Sequence, residues 1–188
     1  DPASQDWQDS IRIRIWNPGQ IMLVAKETAY SGYFTAVLDS LGYSYDTFTG
    51  CSDTSVLNRY STAIVFTGLS GLITTSEQAA LVSYMDKGGC LFATGQDIGF
   101  SIGGTSFYQN YLHANYLTDE TGLRTLTGIA TDPVSDGISL SISGGDGANN
   151  QYWADGVSPN GGAFTVFDYT SSSYDGGVRF EGDYKMVC

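Results

Sequence analysis

Basic side chains are scarce in this sequence. Eight Lys and Arg stand against twenty Asp and Glu, a formal net charge of −12. Such a chain repels phosphate backbones, which argues against nucleic-acid binding, and an anionic membrane surface is disfavoured for the same reason. The plain reading of the acidity is solubility. Histidine is nearly absent: His113 is the only one, so any Ser-His or Cys-His dyad has to use it. Three cysteines, Cys51, Cys90 and Cys188, allow at most one internal disulfide and form no CxxC pair. That removes zinc ribbons and dithiol redox motifs. No apolar run approaches the ~18–20 residues of a membrane span. The opening Asp1-Pro2-Ala3-Ser4-Gln5-Asp6 has neither the basic nor the apolar region of a signal peptide. The pairs Gly103-Gly104 and Gly161-Gly162 fit neither GxGxxG after a strand nor a P-loop, so no motif supports nucleotide binding.

What is present suits one domain. At 188 residues with 41% hydrophobic and 13% aromatic side chains, the chain can bury a substantial core and is not disordered in character. Lysine is scarce while Ser, Thr, Gly and Tyr abound, a composition typical of secreted proteins. An extracellular or cell-surface location is therefore expected.

The chain reads as an arm followed by an α/β unit. Over residues 1–20, Ile11-Arg12-Ile13-Arg14-Ile15 alternates with period 2, and Trp16-Asn17-Pro18-Gly19 breaks it. An edge strand or an arm docking on a neighbour both fit, with Ile11, Ile13 and Ile15 as interface candidates. Ile21–Ala25 and Thr62–Gly68 are continuous apolar runs, the mark of strands buried on both faces. Phe34, Val37, Leu38 and Leu41 keep helical spacing between Ser31, a cap, and Gly42, a stop. Tyr43–Phe48 alternates as a strand. Thr75 with Gln78 makes a capping box for a helix that runs to Lys87 and stops at Gly88. Cys90–Thr94 then reads as a buried strand ending in the loop Gly95-Gln96-Asp97. This alternation implies a mainly parallel sheet. Residues 98–105 read as a glycine-rich loop and Ser106–His113 as a short helix. Strands follow over 123–129, 138–142, 163–169 and 178–181. Tyr184–Cys188 begins a further strand, which the chain end is expected to cut short.

Several segments resemble a secreted module of the class I glutamine amidotransferase-like (flavodoxin-like) superfamily. They are Tyr33–Tyr43, Gly88-Gly89-Cys90-Leu91-Phe92 with Gly95-Gln96-Asp97-Ile98-Gly99, Tyr111-Leu112-His113-Ala114, and Asp132-Pro133-Val134-Ser135-Asp136-Gly137. The resemblance implies a flavodoxin-like three-layer sandwich over residues 21–188, with a β-rich C-terminal part. It also implies where catalysis would sit: a cysteine on the elbow after the central strand and a later His-x-Glu. The elbow here is Thr94-Gly95-Gln96, and no His-x-Glu follows Tyr184.

The expected role is therefore a non-catalytic extracellular interaction or structural module with a protein partner or a second copy of itself. A hydrolase completed beyond Cys188 and a glycan-binding module are the alternatives. Glu27, Gln96 and Asp97 follow strands and could meet in the switch-point crevice, where carboxylates act as acid and base or hold a hard cation. The competing reading has them tie down loops. Asp146-Gly147-Ala148-Asn149-Asn150 offers oxygens to calcium but lacks the EF-hand spacing. With no clustered Cys/His ligand set, no metal or organic cofactor is expected to be needed for folding. Tyr152-Trp153, flanked by Gln151 and Asp155, is the candidate sugar-stacking platform. His113 reads as a structural histidine, and Cys90 as a structural thiol.

Overall fold

The structure, a computed structural model, describes residues 20–143 and 151–188. The arm with Ile11, Ile13 and Ile15, and the loop Asp146–Asn150, lie outside the described residues. The described chain is an α/β fold built on one mixed sheet of eleven strands.

Its first half alternates strand and helix. In order come β1 (Ile21–Ala25), α1 (Ser31–Ser40), β2 (Tyr45–Phe48), α2 (Thr54–Leu57), β3 (Thr62–Gly68), α3 (Thr75–Met85) and β4 (Cys90–Gly95). The strands pair in parallel in the order β2-β1-β3-β4. Side chains alternate across them. Ile21, Leu23, Ala25 and Phe66 meet Leu38 of α1 on one face, where Phe34 stacks on Phe66 at 4.2 Å. Met22, Val24, Ala63, Val65, Leu91 and Ala93 meet Leu81, Tyr84 and Met85 of α3 on the other. Burial on both faces is why β1 and β3 are near-continuous apolar runs, whereas β4, expected as a buried strand, is covered on the α3 face and leaves Phe92 exposed on the other.

The second half is different. It comprises α4 (Ile98–Ile102), α5 (Ser106–Asn110), β5 (Ala114–Thr118), β6 (Thr125–Gly128), β7 (Ser139–Ser141), β8 (Gly156–Pro159), β9 (Phe164–Tyr169), β10 (Asp175–Glu181) and β11 (Lys185–Val187). The sheet continues β4-β11-β10-β9-β6-β7, with β8 on β10 and β5 on β8. Every pair in it except β4 with β11 is antiparallel. The expectation of a mainly parallel sheet thus holds for the first half and fails beyond β11. That strand joins the halves: Met186 and Val187 pair with Leu91 and Phe92 in parallel, and with Phe180 and Arg179 antiparallel.

Local chemistry shifts some expected boundaries. The α3 capping box is Thr74 with Glu77, not Thr75 with Gln78. Glu77 is chosen because it also serves the fold: it is buried, pairs with Lys26 at 2.7 Å and accepts from the Cys51 amide at 3.2 Å. Ser31 does not cap α1, because a 3₁₀ turn at Thr28–Tyr30 leads straight into the helix and the Ser31 N–H donates to Thr28 O. Gly42 does stop α1, with φ +73°. Part of the expected loop 98–105 is α4. In the second half, Asp132 accepts from the Val134 and Ser135 amides and pairs with Arg179 at 2.5 Å. This partly buried ion pair holds the Asp132-Pro133 turn onto β10.

Candidate functional site

The two halves meet at the carboxyl end of β4. A glycine is required there: a Cβ on Gly95 would lie 1.7 Å from Thr67 Oγ1. β3 and β4 therefore pack closely at this end, and Gln96 is buried where the chain leaves the sheet. Gln96 Oε1 accepts from the Tyr152 N–H at 2.5 Å, and its Nε2 donates to Asp97 Oδ2 at 3.4 Å. Gln96 thus pins the distant segment carrying Tyr152 against the central strand. Gly99 is tight too, since its Cβ would meet Tyr116, the Tyr108 hydroxyl and Asp155.

Asp155 comes in from that distant segment. Its Oδ2 accepts from the Gly99 N–H at 2.7 Å and the Phe100 N–H at 3.3 Å, satisfying the first turn of α4. Its Oδ1 is buried without a hydrogen-bond partner, as is Oδ1 of Asp97. Asp119, on the loop after β5, completes the group: carboxylate oxygens of Asp97, Asp119 and Asp155 all lie within 4.8 Å of one another. Burial pushes the Asp155 carboxyl up to about 7, with Asp97 and Asp119 adding to the shift against the two amides. Burial also raises Asp97, and Asp119 adds to it. A carboxyl held protonated near neutrality can donate a proton, and three carboxylate oxygens suit a hard cation better than a soft one.

Beside this group lies a cavity of about 580 Å³ between β4 and the antiparallel strands. Ala93, Leu126, Val166 and Val178 give it apolar walls, and Gln96 and Asp155 reach it with polar groups. Tyr152 and Trp153 stand exposed, and the Tyr152 carbonyl is held by Arg124 Nη2 at 2.8 Å.

The expected crevice set is only partly brought together. Gln96 and Asp97 touch each other, but β3 lies between β1 and β4. Glu27 instead accepts from the Leu69 N–H at 2.7 Å, tying down the loop after β3. Sequence reasoning missed Asp119, and noted Asp155 only as a flank of Trp153. His113 is elsewhere: its ring stacks on Phe180 at 3.8 Å, and its Nε2 lies 2.8 Å from the Tyr184 hydroxyl. Burial lowers its pKa. Burial pushes the thiols of Cys51 and Cys188 up to about 12, and all three cysteines are free. Among the described residues, no helix is long and apolar enough to cross a membrane.

No family model and no curated protein matches the chain. Solved structures do share its fold. It is similar to the mmIFT52 N-terminal domain, with TM-score 0.58 and 13% identity over 89% of this chain and 83% of that one. It is similar to the exo-β-1,4-mannosidase Op5Man5 from Opitutaceae bacterium strain TAV5, with TM-score 0.61 and 12% identity over 90% of this chain and 30% of that one. It is also similar to a cold-adapted β-galactosidase from Rahnella sp. R3, with TM-score 0.57 and 11% identity over 89% and 28%. The chain therefore spans less than a third of either glycosidase. At these identities the likeness concerns the fold alone.

Proposed function

We propose that this chain is a non-catalytic interaction or structural module of a larger extracellular or surface-assembled protein, with the flavodoxin-like, amidotransferase-like architecture. The architecture is supported by the β2-β1-β3-β4 order with α1 and α3 on opposite faces. The observation that carries the functional reading is how the polar groups at the carboxyl edge are used. Glu27, Gln96 and Asp155 each turn one oxygen to a backbone amide of a neighbouring loop, leaving one oxygen of Asp155 and one of Asp97 without a partner, while the one histidine lies away from them against Tyr184 and Phe180. A protonated, buried thiol is a poor nucleophile, which argues the same way for Cys51 and Cys188. The two glycosidases support modularity, because a unit of this shape is under a third of each. No cofactor is needed for folding on this reading. A panel of amide, ester and glycoside substrates tests it. No turnover above the buffer rate is expected, and turnover that disappears in Asp155→Asn would overturn it.

A second reading, glycan binding, is favoured by the adjacent exposed side chains of Tyr152 and Trp153. It requires binding on a glycan array that Trp153→Ala abolishes.

A further inference from the structure

The cavity between β4 and the antiparallel strands is larger than a packing defect. Folded interiors hold few voids bigger than a water molecule. A volume of about 580 Å³ falls within the ~300–1,000 Å³ of small-molecule sites. Ala93, Val166 and Val178 line it and are fully buried, while Phe92 and Leu140 line it and are 36% and 41% exposed. The cavity therefore runs from the surface into the interior. Two features of β10 keep it open. The β9–β10 register shifts on both sides of Gly177, which bends a strand locally, and Gly176 and Gly177 line the cavity without adding a side chain. The connection between Ser143 and Gln151 has nothing apolar to fill it with: Gly144-Gly145-Asp146-Gly147-Ala148-Asn149-Asn150 carries no apolar side chain larger than alanine. One part of the lining is acidic. Asp155 belongs to it, and carboxylate oxygens of Asp97 and Asp119 lie within 4.8 Å of each other and of Asp155. Among the described residues, no ion pair includes any of the three. Arg124 is engaged by the Leu123 and Tyr152 carbonyls and by Glu120. The acidic group thus lacks a positive charge and hydrogen-bond donors, as the partnerless oxygens of Asp97 and Asp155 also show.

We propose that the cavity binds a primary amine with an aromatic or branched apolar body, its ammonium held by Asp155 with Asp97 and Asp119 and its body against Leu126, Val166 and Val178. The inference goes beyond the reading of the chain as a module and does not depend on it. Charge and shape together select this class. An anion is repelled by three carboxylates, and a neutral molecule leaves them uncompensated. A calcium ion takes roughly six to eight oxygens, whereas the walls that Ala93, Leu126, Val166 and Val178 give the cavity are hydrocarbon. An ammonium carries one N–H donor for each of the three carboxylates. Oxygens ~2.8 Å from one tetrahedral nitrogen stand about 4.6 Å apart, which agrees with oxygens that all lie within 4.8 Å of one another. The apolar body then takes the space that no side chain of the described strands fills.

The test is titration calorimetry on the full chain at pH 8, above the Asp155 carboxyl at about 7 and below the ~10 of an alkyl ammonium. The probes are tryptamine, its hydroxyl analogue tryptophol, its carboxylate analogue indole-3-propionate, ethylamine and calcium chloride. Tryptamine should bind with Kd below about 1 mM. Tryptophol, which lacks the charge, and ethylamine, which lacks the body, should each bind at least about tenfold more weakly, and indole-3-propionate should not bind. Asp155→Asn should bind tryptamine and tryptophol alike. Asp119→Asn, on an exposed loop residue, should weaken tryptamine at least about threefold, and it decides the matter should Asp155→Asn fail to fold. No heat with tryptamine up to about 10 mM overturns the proposal. So does tryptophol binding as tightly as tryptamine, since the carboxylates would then play no part. Ethylamine binding as tightly as tryptamine overturns it too, because the attraction would be to acidic surface alone. Calcium that binds through Asp155 where tryptamine does not would make the acidic group a metal site instead. Turnover in the substrate panel would remove the module reading without moving these results.

Discussion

The parallel half and the antiparallel half of this sheet are held together differently. Over β1 and β3 the sheet is a middle layer, packed by α1 on one side and α3 on the other, while β4 is packed on the α3 side only; Leu23, Val24, Ala63, Val65 and Ala93 are fully buried and Phe92 is exposed. Beyond β11 the strands are half-exposed, β7 is exposed along its length, and a cavity of about 580 Å³ lies between them and β4. The first half is stabilised by area, the second by a few specific polar contacts, and the join brings together three carboxylates, with Asp155 pushed up to about 7.

That contrast has measurable consequences, the largest in the core. Leu23→Ala should cost about 3–4 kcal/mol, because a site packed on both faces cannot collapse around the hole. Leu126→Ala, which deletes a side chain already bordering the cavity, should cost only about 2 kcal/mol. Equal losses in urea unfolding would erase the distinction. Next comes Arg179→Ala. Burial raises the Asp132 carboxyl, but Arg179 and two amides hold it below the ordinary value. Removing the guanidinium leaves a buried carboxylate unpaired and should cost about 2–3 kcal/mol. The loss should be smaller at pH 3, where protonation relieves the unpaired charge.

Asp155 gives a smaller effect with a definite sign. Its folded-state pKa is raised to about 7 from 3.8, so the folded chain binds the extra proton. Its contribution therefore falls as pH rises from about 4 to about 7 and is flat above. Allowing for solvent screening of a half-buried group, wild type should lose about 1–2 kcal/mol relative to Asp155→Asn between pH 5 and pH 8. Excess calcium that stabilised wild type but not Asp155→Asn at pH 8 would instead make the join a cation site. The smallest expected change is Thr74→Ala, which removes one arm of the α3 capping box and should cost about 1 kcal/mol in thermal unfolding.

The same contrast governs how much could be read from the sequence. β1 and β3 are legible because burial on both faces writes itself as Ile21-Met22-Leu23-Val24-Ala25 and its equivalent in β3, and Gly42 and Gly88 mark the helix ends with positive φ. The α3 cap was displaced by one residue because Thr74 and Thr75 look alike locally. Only the tertiary partners Lys26 and Cys51 select Glu77. β5 and β8 left no local signal: Ala114-Asn115-Tyr116-Leu117-Thr118 and Gly156-Val157-Ser158-Pro159 are not continuous apolar runs, and each pairs with a strand far away in the chain. The acidic group was illegible for the same reason. Asp97, Asp119 and Asp155 come from three separate loops and meet only after β8 has docked. Two aspartates near aromatics, Asp119 beyond Tyr116 and Asp155 beyond Trp153, were the available hint.

The reading of this chain as a non-catalytic module is tested most directly at the polar join. Wild type and Asp155→Asn are measured side by side on the amide, ester and glycoside panel from pH 5 to pH 8. No turnover above the buffer rate is expected in either. Turnover by wild type that Asp155→Asn removes would contradict the reading and make the join a catalytic site.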